Sequence, residues 1–268
     1  MRDNEVWRVN TGIDELDKYM EGGFPKNSFI VVTGDIGSGR SIFSYQFLQA
    51  GAEYDEKSLL IATNNTPDNI ISQAEQFRWD FKKMIDNKML EIHYIEPEVL
   101  CEEKAIDEIE RLLKKDQYDR LVIDNLTRII CGSVSEYNII GLTEWGWQRL
   151  PFYQVALKNV ARLMDLTSKY EVTSVGVSQK MEGRPGDTFD TISEHWASGL
   201  IVLNNEFIDE CRSRTLRIKK LRLTNIKIVK HEFTFTENGI SLINERSPVD
   251  ICVKDKRKIK DAKEILKK

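Results

Sequence analysis

The stretch that decides the fold reads Phe29-Ile30-Val31-Val32-Thr33-Gly34-Asp35-Ile36-Gly37-Ser38-Gly39-Arg40-Ser41-Ile42-Phe43-Ser44-Tyr45-Gln46-Phe47-Leu48. Its apolar start predicts a buried strand, and its apolar end predicts a helix. The glycines between them allow backbone N–H groups to converge on one point, and the helix N-terminus adds positive potential there. Strand, glycine loop and helix in this order indicate a phosphate-binding loop. The candidate nucleotide-binding residues are Gly34, Asp35, Ile36, Gly37, Ser38, Gly39, Arg40 and Ser41.

Arg40 occupies the position where this kind of loop calls for lysine. Lysine is a compact point charge that curls over the loop to the phosphates, whereas the arginine fork is larger and planar. We therefore expect nucleotide binding to survive and the placement of the terminal phosphate to be less secure. The hydroxyl of Ser41 stands where a Mg²⁺ ligand is expected.

Short apolar runs alternate with helical patterns before residue 210, which favours βαβ units and a mostly parallel central sheet flanked by helices. The predicted strands are Phe29–Thr33, Ser58–Ala62, Met89–Tyr94, Arg120–Ile123, Val172–Val177 and Leu200–Leu203. Thr66 is predicted to cap a helix because Pro67 and Asp68 follow it. The sequence thus predicts an α/β fold.

Beyond Glu210 the pattern changes to strands alone. The predicted strands are Thr215–Leu221, Ile226–Thr236 and Ile240–Ile243, and they indicate an antiparallel C-terminal extension of the same sheet. We expect residues 1–245 to form one nucleotide-binding domain. Residues 246–268 are expected to form a basic tail that is helical or flexible.

The bulk composition favours a globular protein. The chain has 268 residues, of which 41% are hydrophobic and 31% charged, enough for a real core. No apolar run approaches the roughly 18 residues of a membrane span. The four cysteines form no CxxC pair, which favours free thiols over disulfides or a zinc site. We expect a cytoplasmic location and no membrane partner.

Charge is unevenly distributed along the chain. Residues 212–268 carry 17 Lys or Arg against 7 Asp or Glu, a net of +10, although the whole chain has a net charge of −4. Such asymmetry indicates an anionic partner for the C-terminal part. A solvated lysine-rich surface explains it equally well.

The order of the motifs resembles the KaiC-like branch of the RecA superfamily, particularly archaeal RadA paralogues. Residues 11–17 and 22–25 look like the beginning of that family's ATPase core, and residues 73–80 are similar to a segment after its second strand. The likeness runs from about Val9 to Ile243. It implies a RecA-like core that binds ATP or ADP with Mg²⁺. It also implies assembly into a homo-oligomer, or binding to a RecA-family protein or another protein partner.

Residues 120–125 resemble the second nucleotide-binding motif of that family, an apolar strand that ends in Asp124. A carboxylate at this edge of a parallel sheet can hold Mg²⁺ through water. Together with the glycine loop, it predicts a metal site formed by Ser41 and Asp124.

The resemblance implies a pair of catalytic glutamates after the second strand, where this chain has Asn64 and Asn65. An amide can orient a water molecule but cannot accept its proton. Loss of a general base costs roughly 10²–10⁴-fold in rate. We therefore expect weak or absent ATP hydrolysis, unless another carboxylate such as Asp68 or Asp124 substitutes.

Further site residues follow from the resemblance alone. Lys220 and Arg222 match a segment that reaches the nucleotide of a neighbouring subunit, and their alternation would place both on one face of a strand. An exposed basic strand is the alternative. Gln179 ends a buried strand at the position of a γ-phosphate sensor.

Two segments are candidates for contact with single-stranded DNA. The stretch of residues 180–193 contains Arg184, and the stretch of residues 131–152 contains Trp145 and Arg149. Aromatic residues interleaved with arginine suit base stacking and phosphate contact. The tryptophans equally suit packing inside the domain or at a subunit interface.

Three functions are consistent with these features. The first is a RecA/RadA paralogue that binds nucleotide and single-stranded DNA and modulates recombination or repair. The second is a KaiC-like module whose nucleotide-dependent assembly acts on protein partners without DNA. An active ATPase or autokinase ranks last, because it needs a base that the sequence does not provide.

Overall fold

Strands and helices alternate along the chain up to the strand that ends at residue 208. The computed structural model describes residues 6–101, 104–131, 149–180, 186–208, 211–226 and 230–243. The strands are β1 (Arg8–Val9), β2 (Phe24–Pro25), β3 (Phe29–Gly34), β4 (Ser58–Ala62), β5 (Leu90–Tyr94), β6 (Arg120–Asp124), β7 (Thr173–Val177), β8 (Gly199–Ile208), β9 (Cys211–Leu221), β10 (Lys230–Thr236) and β11 (Gly239–Leu242). The helices are α1 (Asp14–Tyr19), α2 (Arg40–Ala52), α3 (Pro67–Glu75), α4 (Phe81–Asp86), α5 (Pro97–Cys101), α6 (Ala105–Lys115), α7 (Leu126–Cys131), α8 (Arg149–Lys169) and α9 (Ser193–Trp196).

The main sheet of the described chain has the strand order β11-β10-β9-β8-β3-β7-β6-β4-β5. Strands β3 to β8 pair in parallel, and β9, β10 and β11 continue from β8 in antiparallel pairs. The predicted α/β class and its antiparallel extension are confirmed. Because β3, β4, β6 and β7 run parallel, the loops that follow them all open at one carboxyl edge, where α/β sheets bind ligands.

Two apolar layers enclose the sheet because side chains alternate along each strand. Ile30 and Val32 of β3 belong to the cluster that contains α2, while Phe29 and Val31 belong to the cluster that contains α6 and α8. Burial of each such side chain stabilises the fold by roughly 1.5–3 kcal/mol. The phosphate loop is therefore attached to a strand held rigidly from both faces.

Several predicted boundaries were wrong. Strand β8 runs to Ile208, well past the predicted end at Leu203. In the strand predicted from Ile226, the described part is Lys230–Thr236, and Ile226 itself closes a turn by donating its N–H to the carbonyl of Thr224. The expected tail, residues 246–268, lies outside the described residues, so the domain division stays a prediction.

Thr66 precedes α3 as expected, with extended backbone and Pro67 in the first turn. The predicted N-cap position is confirmed, although the Thr66 hydroxyl makes no capping hydrogen bond. The antiparallel pair of β1 and β2 and the short helix α1 between them were not predicted. Two-residue strands are too short to show a period in the sequence.

A buried carboxylate holds the chain at the start of α1. Asp17 accepts hydrogen bonds from the backbone N–H of Thr11 at 3.1 and 3.0 Å and from its hydroxyl at 2.7 Å. Burial raises the pKa of Asp17 from 3.8 to about 6, although these hydrogen bonds act in the opposite direction. The contact orders the segment that leads into the core.

A buried arginine connects three parts of the domain. Arg120 is 1% exposed, and its guanidinium donates to Glu56 at 2.6 Å and to the carbonyls of Asn10 and Phe47 at 2.9 and 2.6 Å. It also lies 4.5 Å from the centre of the Phe47 ring. Because its charge is paired and hydrogen-bonded, it can be buried without a large penalty.

None of the described helices is long and apolar enough to span a membrane.

Cys131 is a free thiol, and burial, with a smaller contribution from the charge of Asp190, raises its pKa to about 12.

Candidate nucleotide-binding site

The phosphate loop lies between β3 and α2, where the sequence predicts it. Its first part is fixed to β8 by Asn205, whose backbone N–H donates to the Asp35 carboxylate and whose amide donates to the Ile36 carbonyl, both at 2.8 Å. Lys180 lies 3.7 Å from the same carboxylate. Asp35 and Ile36 therefore anchor the loop to the sheet.

Two glycines are required by the shape of the loop. Gly34 has φ +145°, and a Cβ there would lie 1.7 Å from the carbonyl oxygen of Leu203. Gly39 has φ +101°, and a Cβ there would lie 2.4 Å from Cζ of Phe235. Any side chain at either position would have to displace β8 or the β10 aromatic ring.

The loop and the helix after it provide polar groups without internal partners. Within the described residues, the buried hydroxyl of Ser38 has no hydrogen-bond partner. An unpaired buried hydroxyl costs free energy, and it is tolerated at sites that accept a ligand. Gly39 is the N-cap of α2 and has no side chain that could accept from the first N–H groups of this 13-residue helix. These N–H groups therefore point to the loop. These features fit a bound phosphate.

Arg40 lies half-buried at the start of α2. Its Nη1 donates to the carbonyl of Ser178 at 2.6 Å. Burial lowers the pKa of Arg40, while the carboxylates of Asp124 and Asp35 oppose the shift. The guanidinium is thus tied to the end of β7, and it must leave or share that carbonyl to reach a phosphate.

Ser41 and Asp124 lie together, as the sequence predicts. The Ser41 hydroxyl and the Tyr45 hydroxyl are both hydrogen-bonded to the Asp124 carboxylate, the latter at 3.2 Å. Burial raises the pKa of Asp124, and these two hydrogen bonds and the Arg40 charge act to lower it. Ser41 and Asp124 are therefore placed to share one cation.

The residues fit a magnesium ion that is completed by phosphate and water. Among the described residues, no group of three or more His, Cys, Asp or Glu side chains is arranged to hold a metal. Mg²⁺ in nucleotide sites uses one or two protein ligands plus phosphate oxygens and waters. A hydroxyl and a carboxylate beside a glycine loop match that donor set, and the ion would supply charge neutralisation of the phosphates.

The two asparagines at the end of β4 are both engaged by other side chains. Arg128 of α7 donates through Nη1 to Asn64 Oδ1 at 3.0 Å and to the carbonyl of Thr63. Asn65 is hydrogen-bonded to the Tyr45 hydroxyl, which itself donates to Asp124. The sequence reasoning did not place Arg128 or Tyr45 at this site, because an arginine and a phenol within apolar helices do not indicate which strand end they reach.

Gln179 lies at the end of β7 with an exposed side chain. Its backbone N–H donates to the hydroxyl of Thr127 at 2.9 Å, and its carbonyl accepts from the N–H of Phe189 at 2.7 Å. The backbone of Gln179 therefore connects the loop after β6 with the segment before α9. The sensor role stays a prediction.

Lys220 and Arg222 lie at the end of β9. The Lys220 ammonium donates to the carbonyl of His195 at 2.6 Å, and Arg222 is exposed beyond the strand. Burial, followed by the charge of Arg222, lowers the pKa of Lys220. Lys220 is thus anchored to α9 within its own chain. Contact with a neighbouring subunit stays a prediction for both residues.

The candidate DNA-binding residues Trp145 and Arg184 lie outside the described residues. Arg149 begins α8, and its side chain is also outside them. Their predicted contact with DNA is untested.

Comparison with known proteins matches this geometry. The profile of the KaiC ATPase family covers residues 9–140 and 147–247. The chain is 31% identical to a UPF0273 protein of Saccharolobus solfataricus over 242 residues, which is 87% of this chain and 81% of that protein. It is 27% identical to the circadian clock oscillator protein KaiC of Synechococcus elongatus over 246 residues, 88% of this chain and 44% of that protein. The chain thus spans less than half the length of such KaiC relatives.

A comparison with solved structures agrees with the sequence comparisons. The crystal structure of a KaiC-like protein from the hyperthermophilic archaeon Pyrococcus horikoshii superposes with a TM-score of 0.72 at 26% identity, covering 90% of this chain and all of that one. The glycine loop, the Ser41–Asp124 pair and the strand order thus occur in a chain whose sequence and fold match one family. The chain belongs to the KaiC family of ATPases.

Proposed function

We propose that this KaiC-like domain binds ATP with Mg²⁺, hydrolyses it slowly, and uses the bound nucleotide to control assembly with copies of itself or with protein partners. The observation that carries the proposal is the pair of amides at the end of β4. Asn64 and Asn65 stand where the family resemblance implies glutamates, and Arg128 and Tyr45 engage them. Neither amide can accept the proton of an attacking water.

Binding itself is supported by the remaining parts of the site. The unpaired hydroxyl of Ser38, the first turn of α2 and the Ser41–Asp124 pair fit the phosphates and their cation. A domain that retains nucleotide without rapid turnover is suited to a regulatory role, because the bound state persists long enough to change an assembly equilibrium.

The test measures affinity, turnover and assembly on the same preparation. Calorimetry gives the affinity for ATP and ADP with Mg²⁺, phosphate release gives turnover, and light scattering after gel filtration gives the oligomeric state with each nucleotide. We expect binding, turnover well below the 1–10³ s⁻¹ of typical enzymes, and a larger assembly with triphosphate. Turnover within that range would contradict the proposal.

Asp124→Asn provides the site-directed arm of this test. It removes the carboxylate beside Ser41, so Mg²⁺ should no longer increase the affinity for ATP. Asp165→Asn, on the exposed face of α8, is the matched control and should leave the affinity unchanged.

Contact with single-stranded DNA, in the manner of a RadA paralogue that modulates recombination or repair, is the second candidate. The net charge of +10 over residues 212–268 favours it. Anisotropy of a labelled oligonucleotide, titrated at increasing salt, tests it directly. Absence of binding at low salt would leave protein assembly as the function.

A further inference from the structure

Arg128 brings a positive charge to the end of β4. It belongs to α7, the helix that follows β6, and its Nη1 reaches across to the carbonyl of Thr63 and to Asn64 Oδ1. This is the place where the family resemblance implies negatively charged catalytic side chains. The chain therefore lacks those carboxylates and has a guanidinium in contact with their replacement.

The position of Arg128 is connected closely to the phosphate loop. The N–H of Thr63 donates to the carbonyl of Asp124 at 2.9 Å, and the N–H of Asn125 donates to the hydroxyl of Thr63 at 3.0 Å. The Asp124 carboxylate is in turn hydrogen-bonded to Ser41 of the loop. The guanidinium thus lies at the same edge of the sheet as the predicted phosphates and their cation.

The acceptors described for Arg128 are both uncharged, a carbonyl and an amide oxygen. Both bonds use Nη1, whereas a guanidinium carries five N–H donors in a rigid fork. A phosphate oxygen is a stronger acceptor for this fork than either neutral group, because the bond is assisted by both charges. Arg128 is therefore preorganised for an anion that arrives at the end of β4.

We infer that Arg128 is a specificity-determining residue that binds the terminal phosphate of a nucleoside triphosphate and makes the site prefer ATP to ADP. The inference rests on the proposed function, because it presupposes that nucleotide binds at the glycine loop. In this arrangement the terminal phosphate of a triphosphate would reach Arg128 and a diphosphate would not, so only the triphosphate would gain this contact. Hydrogen bonds to charged groups predict a preference of about tenfold or more from this side chain.

The experiment compares two ligands on three variants. Calorimetry with Mg²⁺ gives the affinities for β,γ-imido ATP and for ADP in the unmodified protein, Arg128→Gln and Arg128→Lys. The control is Arg162→Gln, since Arg162 pairs with Asp107 on the helical face away from the loop. Thermal melting establishes that each variant is folded.

We expect Arg128→Gln to weaken β,γ-imido ATP by about tenfold or more and ADP by less than about twofold. Arg128→Lys should give an intermediate loss for the triphosphate, and Arg162→Gln none. Equal losses for both nucleotides, or no loss for either, would overturn the inference. If Arg128→Gln does not fold, an unchanged triphosphate affinity in Arg128→Lys would overturn it as well. An unmodified protein that binds neither nucleotide would instead refute the proposed function.

Discussion

Glutamates at positions 64 and 65, where the family resemblance implies them, should raise hydrolysis to its full extent only when Arg128 is removed as well. The perturbation is the pair Asn64→Glu and Asn65→Glu, with and without Arg128→Gln. In the structure, Arg128 Nη1 lies 3.0 Å from Asn64 Oδ1, so a glutamate there would meet a guanidinium at salt-bridge distance. The new carboxylate would be captured by this charge.

The expected change in kcat follows from how far the charge of Arg128 lowers the basicity of the new glutamate. A positioned general base contributes roughly 10²–10⁴-fold to the rate. An adjacent arginine lowers the pKa of a carboxyl by about 1–3 units, and each unit is worth up to about tenfold in the proton-transfer step. We therefore expect about a tenfold rise in kcat for the double variant and at least about 10²-fold for the triple variant.

The assay is phosphate release at saturating ATP and Mg²⁺, because kcat at saturation is independent of any loss of affinity that Arg128→Gln causes. The matched control adds Arg162→Gln to the double variant and should behave like the double variant alone. A triple variant no faster than the double variant would show that Arg128 does not limit the restored base. High turnover in the unmodified protein would refute the reasoning altogether.

Three further predictions concern the loop and the fold. Gly39→Ala should weaken ATP binding by at least about tenfold in calorimetry, because φ +101° and the Phe235 ring leave no room for a Cβ; unchanged affinity would show that the loop rearranges. Arg120→Met should lower the free energy of unfolding, measured with urea, by about 1–3 kcal/mol, because the half-buried carboxylate of Glu56 and the carbonyls of Asn10 and Phe47 lose their donor; a change below about 1 kcal/mol would contradict the role of Arg120. Asp17 has its pKa raised to about 6, so its contribution to stability is present below pH 3.8 and lost as pH rises through 6. Between pH 4 and 7 the free energy of unfolding in urea should fall by about 3 kcal/mol in the unmodified protein and should not show this fall in Asp17→Asn. The same dependence of the unfolding free energy on pH in both proteins would contradict the prediction.

The parts of the site that could be predicted from sequence are those encoded locally. The glycine loop lies between a strand and a helix that are contiguous in the chain, so its pattern is visible in 20 residues. Asp124 could be found because it ends an apolar strand, and parallel strands bring their carboxyl ends to one edge. Strand existence followed from hydrophobic runs, which are independent of the partner strand.

The parts that could not be predicted depend on contacts between distant residues. Arg128 and Asn64 are 64 positions apart, and Tyr45 and Asp124 are 79 apart. In the sequence, Arg128 is one basic residue in a short apolar helix, and nothing indicates which strand end it reaches. Similarly, the alternation of Lys220 and Arg222 does not indicate that Lys220 bonds to the carbonyls of α9.

On the proposed function, Asn64, Asn65 and Arg128 together favour retention of nucleotide over its hydrolysis. Asn64 and Asn65 are uncharged at the end of β4, where the family resemblance implies glutamates, and Arg128 adds positive charge there. This raises attraction for a triphosphate in the ground state and in the transition state alike, and such uniform binding lowers KM without raising kcat. Hydrolysis needs in addition a group that accepts a proton, which the two amides do not supply. Amides in place of glutamates would by themselves make a poor ATPase, whereas Arg128 would in addition make a tight binder, and tight binding is the property that the proposed nucleotide-controlled assembly requires.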